Sequence, residues 1–145
     1  MASLEVYGFE DLADALHRIS DIPDSVIEDS LDAMAEVAAD KIRAEGQSVG
    51  VRDETSGTHI LDSLSRSSKA KLSDWGGYKM ITFKGKRRRG NTETRNAEIA
   101  FVNEYGRRGQ AARPFMGTAM SKNEDAITAP AEQIVGDWIE NEYMK

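Results

Sequence analysis

Apolar positions recur with two different periods along this chain, and the switches between them mark where elements begin and end. Ile27, Leu31, Met34, Ala35, Ala38 and Ile42 fall at spacings that form one stripe of an α-helix. Asp24 or Ser25 can cap its start, Glu28 and Asp29 suit the positive end of its dipole, and Gly46 closes it. The Met and Ala content of the stripe predicts close packing against a sheet. Upstream, Leu12, Leu16 and Ile19 describe a shorter amphipathic helix from Phe9, which Ile22-Pro23 ends. Leu4 and Val6 fit a short leading strand or an extended arm.

The period then shortens to two. Tyr78, Met80 and Thr82 alternate with Lys79, Ile81 and Phe83, predicting a strand over 78–84. Ala97, Ile99, Phe101 and Tyr105 alternate with Glu98, Ala100, Val102 and Glu104, predicting a second strand over 97–105 whose two faces are both apolar in the middle. These two pair most simply as a long hairpin joined by GKRRRGNTETRN, a connection too long for a tight turn and therefore a projecting flexible tip. A weaker alternation runs from Leu64 to Leu72. Residues 47–58 read as a loop, 59–64 as one helical turn, and 74–77, with Trp75, as a turn.

After Tyr105, Gly106 and Gly109 bracket Arg107 and Arg108 in a turn. Pro114 forces Arg113 towards extended geometry and is itself pre-set for the first position of a helix. Phe115 with Ala119, and Met116 with Met120, then share helix faces. Arginine is a poor cap, so this helix start rests on the proline alone. Ile127, Ala131, Ile134 and Trp138 continue the helical spacing, and Pro130 is expected to kink or split it. The elements sum to an α+β fold over a single domain, 1–145. It has N-terminal helices, a small antiparallel sheet of three or four strands with the long hairpin, and a C-terminal helix packed on the sheet.

Composition narrows the class. With 39% hydrophobic and 30% charged residues among 145, the chain is globular rather than disordered. The absence of cysteine removes disulfides and thiolate metal sites and suits a reducing cytosol. No signal peptide and no apolar run near the length of a bilayer span are expected.

The net charge of -6 conceals segregation. Residues 1–40 hold eleven acids against Arg18 alone, whereas 84–113 hold nine Lys or Arg against Glu93, Glu98 and Glu104. These are either two solvated surfaces or two surfaces that meet between neighbouring copies.

Little in the sequence suggests catalysis. His17 and His59 lack partners at metal-ligand spacing, no G-x-S-x-G or P-loop is present, and the clustered N-terminal carboxylates fall on solvent faces of predicted helices. No enzyme activity, metal or cofactor is expected. Lys86, Arg87, Arg88 and Arg89 supply the one cluster suited to phosphate, although no aromatic residue is interleaved for base stacking.

The run Val102, Glu104, Tyr105, Gly106, then Ala112, Pro114, Phe115 and Ala119 resembles the small head-to-tail connector and tail-completion proteins of long-tailed double-stranded DNA bacteriophages. Upstream, Ser56, Gly57, Leu61, Ser63 and Leu64 look like that family's T/S-G-x-L-x-x-S segment with an insertion between glycine and leucine. The resemblance spans 57–120. It implies a structural virion protein forming a ring, of six copies, at the junction of portal and tail, as a tail-completion, tail-terminator or head-closure component. Val102, Glu104, Tyr105, Gly106, Pro114 and Phe115 would be its fold and subunit-interface residues. Its partners would be sister subunits and neighbouring portal, adaptor, neck or tail-tube proteins, with non-specific contact to passing genomic DNA and no membrane. It would be assembled in the bacterial cytoplasm and end in the virion. The 84–96 loop, Lys86 to Arg89 included, would face the lumen or the adjoining ring. The alternative is a nucleic-acid-binding module that uses this basic loop.

Overall fold

The computed structural model describes residues 21–53, 59–74 and 76–143. The expected leading strand or arm, the first amphipathic helix, His17, Trp75 and the Ser56-Gly57 part of the upstream motif lie outside the described residues.

Helix α1, Asp24–Val49, is the stripe-bearing helix of the sequence. Its cap is Pro23, whose carbonyl accepts from the Val26 and Ile27 amides at 3.0 and 3.3 Å, and neither Asp24 nor Ser25 caps it. The helix also runs past Gly46. Gly50, at φ 67°, is the left-handed residue that ends it, while Val51 N–H returns to the Gly46 carbonyl at 3.0 Å. Gly46 serves packing instead: a Cβ there would lie 2.6 Å from Leu61 Cδ2. Along the stripe Ala35, Ala38, Ala39 and Ile42 are buried. Its small side chains bring α1 mainly against another helix, the C-terminal one, with β1 and β3 touching it less extensively.

A 3-10 turn, Ile60–Ser63, leads into strand β1, Leu64–Arg66. Then follow β2 (Lys71–Ser73), β3 (Gly76–Tyr78) and β4 (Ile81–Phe83). After them come β5 (Lys86–Arg89) and β6 (Thr92–Arg95). The strands pair antiparallel in three two-stranded sheets: β1 with β4, β2 with β3, and β5 with β6. The fold is α+β with antiparallel strands as expected, but the expected sheet of three or four strands is divided into two-stranded ones, and the expected pairing is corrected twice.

Residues 97–105 are not a strand. Helix α2 spans Asn96–Tyr105, so the predicted long hairpin with 78–84 does not form and β4 pairs with β1 instead. The reason is visible in what α2 buries: Asn96, Ile99, Ala100 and Asn103, a helical stripe with asparagine at both ends. Two polar residues hid the true period, and exposed Phe101 and Tyr105 supplied a false alternation.

The connection 84–96 is likewise a hairpin in its own right, with Arg89 opposite Thr92 and Gly90-Asn91 as a two-residue turn. Gly90 has φ 60° and no non-glycine residue among the described ones has positive φ, which matches a turn with glycine at its first central position.

Helix α3, Met116–Lys122, follows Phe115, and α4, Glu124–Tyr143, runs unsplit through Pro130; the break falls at Asn123 instead. The C-terminal helical segment meets the sheet at its start, where Phe115 packs edge-on against Phe83 with ring centroids 6.0 Å apart. It then continues along α1. Ala39, Ile42, Ile60, Leu61, Leu64, Phe83, Ile99, Ala100, Phe115 and Ala119 form one buried cluster with Val51. Every buried side-chain nitrogen or oxygen among the described residues has a hydrogen-bond partner.

Candidate functional site

The motif residues converge on the corner between α2 and α3. Glu104 sits in the last turn of α2, and its carboxylate reaches across to the amides that begin α3. Oε2 accepts from Phe115 N–H at 2.8 Å and Met116 N–H at 2.9 Å, and Oε1 accepts from Gly117 N–H at 2.9 Å. The helix that sequence left without a cap is therefore capped by an acid eleven residues upstream, placed where a negative charge meets the positive helix end. Pro114 lies just before the helix rather than in its first turn.

Gly106 makes the corner possible. It has φ 78°, and a Cβ there would stand 2.8 Å from the Ala112 amide nitrogen. Its N–H returns to the Val102 carbonyl at 2.8 Å, and Arg107 and Gln110 exchange reciprocal backbone bonds of 2.9 Å to close the turn.

Asn103, only 1% exposed, ties the same corner to the end of α1. Its amide oxygen accepts from Arg52 N–H at 2.8 Å, and its amide nitrogen donates to the Arg52 and Ile99 carbonyls at 2.9 Å. Its own carbonyl takes Arg113 N–H at 2.6 Å, while the Arg113 guanidinium donates to the Gly50 carbonyl. Asparagine can serve here because one side chain offers donor and acceptor together, as a backbone strand would. Nothing in the linear pattern marked this residue.

The outward flank of α2 is apolar. Phe101 and Tyr105, one turn apart, pack with centroids at 4.7 Å, yet they remain 61% and 69% exposed. They form one wall of an open groove of about 330 Å³ whose other walls are Ile81 and Phe83 of β4 and Met116 and Met120 of α3. Met120 is itself 43% exposed. Of the expected interface residues, Tyr105 and Glu104 line this groove. Phe115 is fully buried below it, Val102 faces the other flank of α2, and Gly106 and Pro114 shape the corner.

The basic run divides. Lys86 and Arg88 are exposed, with Lys86 Nζ 3.6 Å from Glu93. Arg87 is turned inward: its guanidinium lies 2.5 Å from Asp53 Oδ2 and 2.8 Å from Asn96 Oδ1, and the Asp53 side chain is 1% exposed. The expectation that Arg87 projects from a flexible tip is corrected, because a buried carboxylate holds it. The Arg89 side chain lies outside the described part.

His59 accepts from Leu61 N–H through Nδ1 at 3.2 Å and so caps the 3-10 turn. Among the described residues no group of His, Asp and Glu is arranged to hold a metal, and no helix is long and apolar enough to cross a membrane. Comparison with protein-family models, curated proteins and solved structures found no match to this chain.

Proposed function

We propose that this protein is a structural subunit that assembles with copies of itself into a ring of six at the head-to-tail junction of a long-tailed bacteriophage, through which DNA passes. The phage assignment rests on the motif from Val102 to Ala119. The self-association rests on one observation, the open groove walled by Phe101 and Tyr105. Two large aromatic side chains more than half exposed beside Ile81, Met116 and Met120 form an apolar surface of the kind that marks interaction sites.

A groove that takes a different surface of the next copy gives head-to-tail contacts, which close into a ring. Its role is structural and not catalytic. Withdrawal of Arg87 into the Asp53 pair weakens the rival reading as a nucleic-acid module, since it leaves fewer cations on the hairpin surface.

Native mass spectrometry or light scattering at rising concentration tests this reading, alone and with capsids or tail tubes added. Wild-type protein is expected to form closed oligomers, and Phe101→Ser with Tyr105→Ser is expected to stay monomeric with an unchanged thermal melt. A wild-type protein that remains monomeric in every mixture would overturn it.

A further inference from the structure

The opposite flank of α2 carries a second concavity, of about 230 Å³, between the end of α1, β6 and the Arg107–Gln110 turn. Ile99 and Val102 line its apolar part, and Arg52, Thr94, Arg107 and Gln110 its polar part. Two features set it apart from an ordinary surface dip. Its arginines stand on fixed backbone, Arg52 through the paired Asn103 bonds and Arg107 through the reciprocal bonds to Gln110. Neither guanidinium pairs with a carboxylate among the described residues, and the one acid at the rim, Glu98, is engaged by Arg95 at 3.0 Å. Guanidinium forks on anchored backbone beside an apolar floor suit a carboxylate on a short aliphatic stem.

The chain itself carries the complementary surface. Helix α4 holds six acids and no Lys or Arg over Glu124–Tyr143. Asp125, Glu132 and Glu140 recur at intervals of seven and eight, which places them on one side of the helix, and all three are exposed. In a single copy α4 lies along α1 and contributes nothing to the pocket.

We infer that the Arg52–Arg107 pocket receives acidic side chains from α4 of the neighbouring copy. This inference rests on the ring reading and deepens it. It gives the head-to-tail contact a second, electrostatic component on the flank of α2 opposite the apolar groove, and so fixes which surface of the next subunit is engaged. Such a contact specifies orientation and register more than it adds affinity.

The test compares self-association of the full chain by sedimentation velocity near ~100 mM salt, where surface charges are screened only partly. Arg52→Glu with Arg107→Glu, and separately Asp125→Lys with Glu132→Lys and Glu140→Lys, are each expected to weaken assembly by about tenfold or more while the circular-dichroism melt is unchanged. Combining the two sets in one chain is expected to restore assembly to within about threefold of wild type. Arg52→Gln with Arg107→Gln provides a milder version should the reversal disturb folding.

Wild-type-like assembly of the arginine variants, or a folded combined variant that fails to recover, overturns the inference. If Phe101→Ser still abolishes assembly in that case, the ring reading survives without it. A wild-type chain that never associates removes both. Loss of fluorescent duplex DNA binding in the arginine variants, with assembly intact, would assign the pocket to phosphate and also overturn the inference.

Discussion

Glu104 shows how much one side chain can settle. Three amides of a short helix would otherwise face solvent or each other, and a seven-residue helix has too few internal bonds to hold itself. Glu104→Gln keeps one acceptor but loses the charge, and is expected to cost about 1–2 kcal/mol in urea denaturation, with Glu104→Ala costing more. Equal stability of the alanine variant would show that the cap is incidental. The Asp53–Arg87 pair is a second such case, because both ends are withdrawn from water and Asp53 also accepts from Ile60 N–H at 2.7 Å. Asp53→Ala or Arg87→Ala alone is expected to destabilise by about 3–5 kcal/mol, whereas Asp53→Leu with Arg87→Met loses less than the sum of the single changes. Strict additivity in that double-mutant cycle would mean the two side chains do not act as a unit.

Among elements, α1 is the beam to which the others attach, and ion pairs pin it along its length. Lys122 Nζ lies 2.9 Å from Glu45, tying the end of α3 to α1. Asp32 takes Lys79 Nζ at 2.6 Å and Arg66 at 3.3 Å, tying the β2–β3 and β1–β4 pairs to it. The hydrogen bond from Lys79 and the charges of Lys79 and Arg66 hold the Asp32 carboxyl below its ordinary value. A depressed folded value means the unfolded chain binds the proton more readily. The contribution is therefore present above the ordinary carboxylate range and is lost as pH falls through the lowered folded value. Asp32→Asn should accordingly be less stable than wild type at neutral pH by a small, salt-sensitive margin, since Asp32 is half exposed, and the difference should vanish under strongly acidic conditions. A difference that persists in acid would assign the effect to something other than this charge.

At the scale of the whole molecule, burial is uneven. The cluster joining α1, the 3-10 turn, β4, α2 and α3 holds nearly all the fully buried side chains, while β2 and β3 expose most of their residues. Native-state hydrogen exchange should therefore find amides around Ala38–Ile42 and Ile99–Asn103 opening only with global unfolding, and those of β2 and β3 exchanging about a hundredfold faster or more. Uniform protection would contradict this division. The same unevenness explains the exposed aromatic groove: α2 spends its inward stripe on the core and leaves Phe101 and Tyr105 exposed on the other side.

The sequence by itself determined the elements whose pattern is carried by apolar residues alone. The Ile27–Ile42 stripe set α1, the alternation of Ile81 and Phe83 set β4 within an expected strand of 78–84 that is broken at Lys79-Met80, and Pro114-Phe115 set the onset of the C-terminal helical segment, because each periodicity is local and each buried position is apolar. It also held a readable signal for the β5–β6 hairpin in Gly90-Asn91, masked by the length of the polar connection around it. Tertiary structure alone decided that 96–105 is a helix, since its buried stripe ends in Asn96 and Asn103, polar residues that can be buried because Lys84 and Arg87 across the hairpin and Arg52 from far along the chain satisfy them. It likewise decided that Glu104 caps a distant helix and that Arg87 turns inward to Asp53. Those outcomes depend on which polar groups are brought within hydrogen-bond reach, a property of the folded arrangement that no local period encodes.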